Sequence, residues 1–210
     1  MKTKRKALLL SLCAVLLVVA SVMGTMAYLT STDTVTNTFT VGNVQITLDE
    51  AKVNPDGTLV PNAERVKANS YKLLPGRTYI KDPTVTVKAG SESSYIKMTV
   101  TFSKAAELDA IFAPTGGANL TSIFNGYDST NWIAKGNTTA ANTRTYEFWY
   151  KETVAAPKAD VVLDALFDSI TVPDSITKEQ LATIEGMEIT VNAYAIQAAG
   201  FANAEEAWAA

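Results

Sequence analysis

The sequence of 210 residues contains no histidine and a single cysteine, Cys13. Without histidine the chain cannot build a Ser-His-Asp triad, a Cys-His pair or a histidine-ligated zinc site. It has no Gly-rich phosphate loop, because Gly116-Gly117 is not followed by Lys and Ser or Thr. It also has no D-x-D-x-D-G calcium loop. These absences exclude histidine-dependent hydrolases, and we expect no cofactor and no metal.

The first 27 residues have the pattern of a secretory signal peptide. A basic start at residues 2–6 precedes an apolar run over residues 7–23, and Thr25 and Ala27 form a T-x-A peptidase site. We expect cleavage between Ala27 and Tyr28. A permanent anchor is the alternative, but the apolar run is shorter than the ~20 residues that span a bilayer, and no basic stop-transfer cluster follows it.

Removal of this segment would change the charge and the thiol content. The mature chain would keep 14 basic and 21 acidic residues, a net charge near −7, so we expect no binding to nucleic acid. It would have no cysteine, and its fold would depend on packing alone. With 47% apolar residues and seven prolines in the sequence, residues 43–210 can bury the core of one domain.

Period-two alternation predicts half-buried strands in several segments. The clearest is residues 96–102, and the others are residues 44–48, 85–87, 144–151 and 187–196. The last has bulky residues on both faces of its second half, which predicts a central position in a sheet. Turn sequences such as Asn54-Pro55-Asp56-Gly57 separate the strands. We therefore predict an all-β protein, a jelly-roll-like two-sheet β-sandwich with short inserted helices.

Helical signals are local. Thr177 and Gln180 have the spacing of a capping box, and Gly186 stands where a left-handed residue would end that helix. Asn203 and Glu206 repeat the spacing before a short C-terminal helix. Residues 160–167 could form one or two further helical turns.

Carboxylates are the remaining candidates for catalysis, since a glycosidase needs only two of them across a groove. Solvated surface carboxylates are the simpler interpretation. Aromatic side chains could form a sugar-stacking platform, or one face of residues 144–151 lies in the core and leaves Trp149 outside. The carboxylate candidates are Asp128 near Trp132, Glu147 beside Trp149, and Asp164 with Asp168; the aromatic candidates are Trp132, Tyr146, Phe148, Trp149 and Tyr150.

The mature chain would begin with a strand that has threonine at every second position from Thr30 to Thr40. Residues 28–42 contain no proline and one charge, Asp33, and threonine favours extended structure. Such a segment is suited to strand addition at the open edge of another copy's sheet. The opposite face would then set the register with Leu29, Val35, Phe39 and Val41. The alternative is that these residues pair within their own domain.

The same residues resemble a known family. Gly24, Thr25, Ala27 and Tyr28, a polar stretch, and then Phe39, Gly42, Val44 and Ile46 match the pattern G-T-x-A, aromatic, F-x-x-G-x-[VL]-x-[IL] of the camelysin/TasA family. Leu74-Pro75-Gly76 is similar to the family's L-x-P-G segment. The resemblance is close over the first fifty residues and loose to about residue 102.

The resemblance implies a protein exported through the dedicated ER-type signal peptidase SipW. It implies a jelly-roll-like sandwich and secreted subunits that polymerise into biofilm matrix fibres at the cell surface, with an N-terminal segment that completes a neighbour's sheet. The expected partners are further copies of the chain and an accessory or anchor protein. Camelysin denotes a metalloprotease, but this chain has no histidine for zinc. We therefore expect no enzyme; a carboxylate-only peptidase and a monomeric glycan-binding adhesin are the alternatives.

Overall fold

The computed structural model describes residues 6, 12–17, 42–112, 117 and 119–210. The chain divides into two compact units, Met1–Val41 and Gly42–Ala210. In the first, residues 12–17 are helical and exposed. Among the described residues, no helix has both the length and the apolar character needed to cross a membrane.

The described part of the second unit contains eleven strands and four short helices. The strands are β1 (Ile46–Asp49), β2 (Thr78–Ile80), β3 (Thr84–Val87), β4 (Ser91–Ser103), β5 (Phe124–Asn125), β6 (Trp132–Ala140), β7 (Thr143–Tyr150), β8 (Val154–Ala156), β9 (Val161–Val162), β10 (Ser169–Thr171) and β11 (Ile189–Gln197). The helices are α1 (Ala105–Ile111), α2 (Leu120–Ile123), α3 (Lys178–Thr183) and α4 (Ala204–Ala209).

The largest sheet is antiparallel and is organised around β4. Its strand order is β11-β4-β7-β6, and β8 also pairs with β4. As the alternation predicts, Ile96, Met98, Val100 and Phe102 of β4 are buried on one face, while the residues between them are partly exposed. The large sheet therefore has one face in the core and one toward solvent.

Two three-stranded sheets, β1-β3-β9 and β2-β10-β5, are connected twice by the chain, since β2 precedes β3 and β9 precedes β10. Backbone hydrogen bonds continue between them: Leu163 N donates to Val85 O at 2.9 Å, and Leu166 N donates to Pro83 O at 3.1 Å. Lys81 N donates to Asp168 O at 3.0 Å. The two sheets thus behave as one layer that is interrupted near Pro83, which has no N–H to donate.

This second layer and the large sheet share one hydrophobic core. The ring of Phe102 on β4 lies 5.5 Å from that of Phe124 on β5, and Phe124 stacks on Phe167 with centroids 3.9 Å apart. All three side chains are buried. The fold is mainly antiparallel β-sheet with few short helices, consistent with the all-β sandwich that the sequence predicts.

The capping signals correctly locate two helices. Thr177 and Gln180 form the reciprocal capping box of α3, and Asn203 caps α4 by accepting from Glu206 N. Gly186 has a positive φ, but α3 ends earlier, at Thr183. The helical interpretation of residues 160–167 is wrong: β9 lies there, and the residues after it form no helix, although Leu163, Leu166 and Phe167 are buried.

The position predicted for the last strand is also wrong. Among the strands that the structure describes, β11 is an outer strand of the large sheet and not a central one. Tyr194, on its solvent face, is 45% exposed, and Ile196 is only partly buried. Its solvent face carries Tyr194, whose ring lies 5.6 Å from Nζ of Lys97 on β4, so bulky side chains occur on both faces.

Candidate functional site

The residues predicted to act in export and assembly lie outside the described residues. These are Thr25, Ala27 and Tyr28 at the expected cleavage site, and Leu29, Val35, Phe39 and Val41 on the expected donor strand. The described domain begins directly after them. Asn43 O accepts from Glu92 N at 2.9 Å, and Gln45 O accepts from Lys88 N at 2.9 Å. These bonds attach the entering chain beside the start of β4.

The large sheet has two outer strands, and they differ in how they are protected. β6 carries Lys135, a register irregularity between Ala134 and Gly136, and exposed polar residues along most of its length. Lysine and bulges are features that discourage pairing with another chain. β11 is nine residues long and contains no charge, proline or glycine, and its register with β4 is continuous from Ile189 to Gln197. β11 is therefore the less protected edge.

The register shows which backbone groups of β11 face outward. Glu188 O accepts from Ser103 N at 3.0 Å, and Ala198 N donates to Ser93 O at 2.8 Å, so both ends of the run bond to β4 through even-numbered residues. In an antiparallel pair this alternates along the strand. The N–H and C=O groups of the odd-numbered residues from Ile189 to Gln197 therefore point away from β4, to an edge that no other described strand occupies and where an added strand would bind.

The inward side of this edge is only partly buried. Ile189, Val191, Ala193 and Ala195 face the core from β11 but retain partial exposure. Ile46 and Leu48 of β1, on the other layer, are also partly exposed beside the core. Residues 193 and 195 are alanines, so larger apolar side chains of an added strand would cover their exposed part. An added strand would thus remove apolar surface of both layers from water.

The solvent face of the large sheet carries a cluster of aromatic rings and lysines. Lys97 Nζ lies 4.3 Å from the ring centroid of Trp208 and 5.6 Å from that of Tyr194. Lys135 Nζ lies 4.1 Å from the ring centroid of Trp149. These are cation–π distances. Since Trp208 belongs to α4, the cluster fixes the C-terminal helix on the sheet.

Carboxylates complete this cluster. Trp149 Nε1 donates to Glu147 Oε1 at 2.6 Å, so this predicted candidate carboxylate binds its neighbour on the solvent face. Lys135 Nζ donates to Glu205 Oε1 at 3.1 Å, and this hydrogen bond lowers the pKa of the Glu205 carboxyl. Trp149 lies on the solvent face, as one interpretation of residues 144–151 predicts, whereas Trp208 and both lysines were not predicted to join it. The alternation of Lys97 with the buried residues of β4 was the available signal.

The other candidate aromatics are mostly core residues. Trp132 is 1% exposed and packs edge-on against Tyr150 at 5.0 Å, and Tyr146 and Phe148 are buried. This arrangement agrees with the interpretation that one face of residues 144–151 lies in the core. Burial raises the pKa of the hydroxyl of both Tyr146 and Tyr150.

The structure brings two of the predicted carboxylates together. Asn131 Nδ2 donates to Asp128 Oδ2 at 2.8 Å and to Asp164 Oδ2 at 3.0 Å, so the amide bridges them. Asp128 Oδ1 also accepts from the backbone N–H of Thr130 at 3.0 Å. Asp168 lies beside Gly126 on the same open depression. These contacts hold a loop against the second layer, and in the described ranges no group of three potential metal ligands occurs.

Comparison of the chain with protein-family models, with curated proteins and with solved structures gives no match.

Proposed function

We propose that the chain is an exported, non-enzymatic surface or matrix protein of bacteria that self-associates into fibres. The N-terminal strand, residues 29–41, of one copy would add to the edge of β11 in the next copy. The observation that carries this proposal is the β11 edge, which pairs with β4 alone among the described strands, on a domain that follows a strand-forming, nearly uncharged segment.

Two properties of the segment fit that edge. Its thirteen residues are long enough to cover the nine of β11. Its alternating pattern separates a face with Leu29, Val35, Phe39 and Val41 from a threonine face. The apolar face would contact the partly buried side chains of β11 and β1, and the threonine face would lie toward solvent.

The finer features belong to the same proposal. Residues 1–27 would be a signal peptide removed by the ER-type signal peptidase, residues 28–42 the donor segment, and residues 43–210 a sandwich of jelly-roll type. The camelysin/TasA resemblance of residues 24–46 supports this division. Cleavage after Ala27 would release the donor segment from the membrane, so that assembly follows export, with or without an accessory anchor protein.

Electron microscopy of two purified chains tests the proposal. One begins at Tyr28 and the other at Phe39, so the second lacks most of the threonine strand but keeps the whole described domain. We expect filaments only from the first. Compact monomers from both would contradict assembly by strand addition, and filaments from both would contradict the role of residues 28–38.

Glycan binding is a second candidate, favoured by the exposed ring of Tyr194, which shares Lys97 with the ring of Trp208. Stacking on a sugar needs an accessible ring face, and lysines already lie over the rings of Trp149 and Trp208. Retention of a stable monomer on a glycan column, lost in Tyr194→Ala, would favour this function over fibre formation. Casein hydrolysis that a chelator abolishes would instead favour the peptidase alternative.

A further inference from the structure

A lysine and a glutamate form an ion pair inside the domain. Glu50 directly follows β1 and is 7% exposed, and Lys81 directly follows β2 and is 6% exposed. Lys81 Nζ donates to Glu50 Oε2 at 2.6 Å. Burying two charges costs free energy unless they are paired and hydrogen-bonded, so the other hydrogen bonds of the Glu50 carboxylate are important.

The second oxygen of the same carboxylate binds a carboxamide. Asn69 Nδ2 donates to Glu50 Oε1 at 3.1 Å and to Ala51 O at 2.9 Å. Asn69 Oδ1 accepts from Val53 N at 3.1 Å. Three hydrogen bonds therefore fix the amide in one orientation, with its nitrogen on Glu50 and its carbonyl polarised by a backbone N–H. One carboxylate thus holds a primary amine and a carboxamide together.

Tyr71 lies beside this group, since Glu50 and Asn69 both affect its hydroxyl. Tyr71 packs edge-on against Tyr79 at 5.8 Å and donates its hydroxyl hydrogen to Ile80 O at 3.2 Å. Burial, and next the charge of Glu50, raise the pKa of Tyr71. The neighbouring carboxylates of Asp49 and Asp82 are paired with Arg65. The amine and Glu50 are therefore buried, the amide is partly buried, and the nearby carboxylates of Asp49 and Asp82 have their own cationic partner.

We propose that Lys81 and Asn69 become joined by an intramolecular isopeptide bond, with Glu50 as the acid–base group. A proton would pass from Nζ to Glu50 along their hydrogen bond, which removes two buried charges. The neutral amine would attack Cγ of Asn69, forming the C–N bond, while Val53 N–H stabilises the developing oxyanion.

Collapse of this intermediate would break the Cγ–Nδ2 bond. Glu50 would give its proton to the leaving Nδ2 and take the proton that Nζ loses, so that ammonia departs. Once ammonia carries one proton into water as ammonium, Glu50 is again a carboxylate. The reaction needs no oxidant or co-reactant, and the protein loses one ammonia in total.

Such a bond would compensate for the lack of disulfides. The sequence contains only Cys13, and that residue lies in the expected signal peptide. The segment between β1 and β2 is long and, in the described structure, is tied by the isolated bridges Glu50–Val66 and Val53–Leu59. A link from residue 69 to residue 81 would hold this segment covalently. The proposed link is independent of fibre formation.

Mass spectrometry of the full chain tests the proposal. Trypsin cuts after Lys67, Lys72, Arg77 and Lys88, but it would not cut after an acylated Lys81. We expect the peptide of residues 68–72 joined to that of residues 78–88, at a mass about 17 Da below their sum because one ammonia is lost. Separate peptides with cleavage after Lys81 would overturn the proposal, as would an ammonia loss located at another asparagine.

Variants show whether the three side chains act as proposed. Asn69→Ala and Glu50→Gln should each leave Lys81 open to trypsin and restore the unlinked peptides. A linked pair in Glu50→Gln would overturn the role of Glu50. The ion pair of Lys88 with Asp160 is an internal control, since both side chains are about two-fifths exposed and no carboxamide of the described residues bonds to the pair; it should stay unlinked. The peptides of the wild-type chain are sufficient to test the proposal. A variant that fails to fold therefore does not affect the result.

Discussion

Replacement of Ala193 by proline tests the β11 edge directly. The N–H of Ala193 points away from β4, so proline removes a donor that the domain itself does not use. Proline is tolerated at edge strands in this orientation. Its ring would also occupy the space that an incoming strand needs. We therefore expect Ala193→Pro to fold as a monomer and to assemble poorly.

The magnitude follows from the hydrogen bonds at this position. Loss of one bond at the new interface costs about 0.5–1.5 kcal/mol, and obstruction of the adjacent bond brings the total to about 1–3 kcal/mol. Since each 1.4 kcal/mol is about tenfold in an association constant, the critical concentration for filaments should rise about 5-fold to 140-fold. Sedimentation of filaments over a range of protein concentrations measures this change.

Two matched variants control for effects on the fold. Ala193→Val keeps the N–H and raises β propensity, so filaments should persist. Asn192→Pro removes an N–H that points to β4 and leaves its acceptor on Thr99 unpaired, which should destabilise the monomer by about 1–3 kcal/mol or more. An unchanged critical concentration in a folded Ala193→Pro protein would refute β11 as the acceptor edge.

Three further predictions concern the domain itself. Gly57→Ala should lower the free energy of unfolding by about 1 kcal/mol or more, because Gly57 has φ 83° and the new Cβ would lie 2.7 Å from Tyr79 Cα; an unchanged urea midpoint would contradict this close approach. Trp208→Ala should lower the free energy of unfolding by about 1–3 kcal/mol, and Lys97→Met by about 0.5–2 kcal/mol, because each removes the cation–π contact. Thermal melts measure both changes. A loss for Lys97→Met that vanishes in 1 M salt would indicate a simple ion pair instead. Burial raises the pKa of Tyr71 above the ~10 of an unfolded tyrosine. The contribution of Tyr71 to the free energy of unfolding is therefore full below about pH 10 and declines above it. Urea titrations at pH 8 and pH 11 should show a smaller decline in Tyr71→Phe, and an equal decline would exclude this tyrosine as a source.

Local sequence signals predicted what local interactions determine. The alternation in β4 located its buried face, because side chains of a strand point to opposite sides whatever the neighbouring strands are. The capping residues Thr177 and Asn203 located two helix starts, because the hydrogen bonds that cap a helix form within one turn. The chemistry excluded by the absence of histidine also follows from composition alone.

Other elements carried no such signal. β6 is exposed on both faces for most of its length, so its sequence shows no alternation of buried and exposed residues. β9 is only two residues long and is a strand because it pairs with β3 of the second layer. The order of strands in a sheet depends on contacts between distant segments, and for this reason the edge position of β11 could not be inferred from its own residues. Similar apolar content occurs in central strands and in edge strands with a covered solvent face.

The sequence by itself determined the composition of the candidate sites, and the tertiary structure decided which residues meet. Glu50, Asn69 and Lys81 are ordinary polar residues in separate segments, and only the packing of β1, β2 and the connection between them places an amine and an amide on one buried carboxylate. Asp128 and Asp164 were candidates in the sequence, but the hydrogen bonds from Asn131 to both carboxylates form only because the fold places the second layer beside this loop. Side-chain identity is local, whereas burial and proximity are properties of the folded chain.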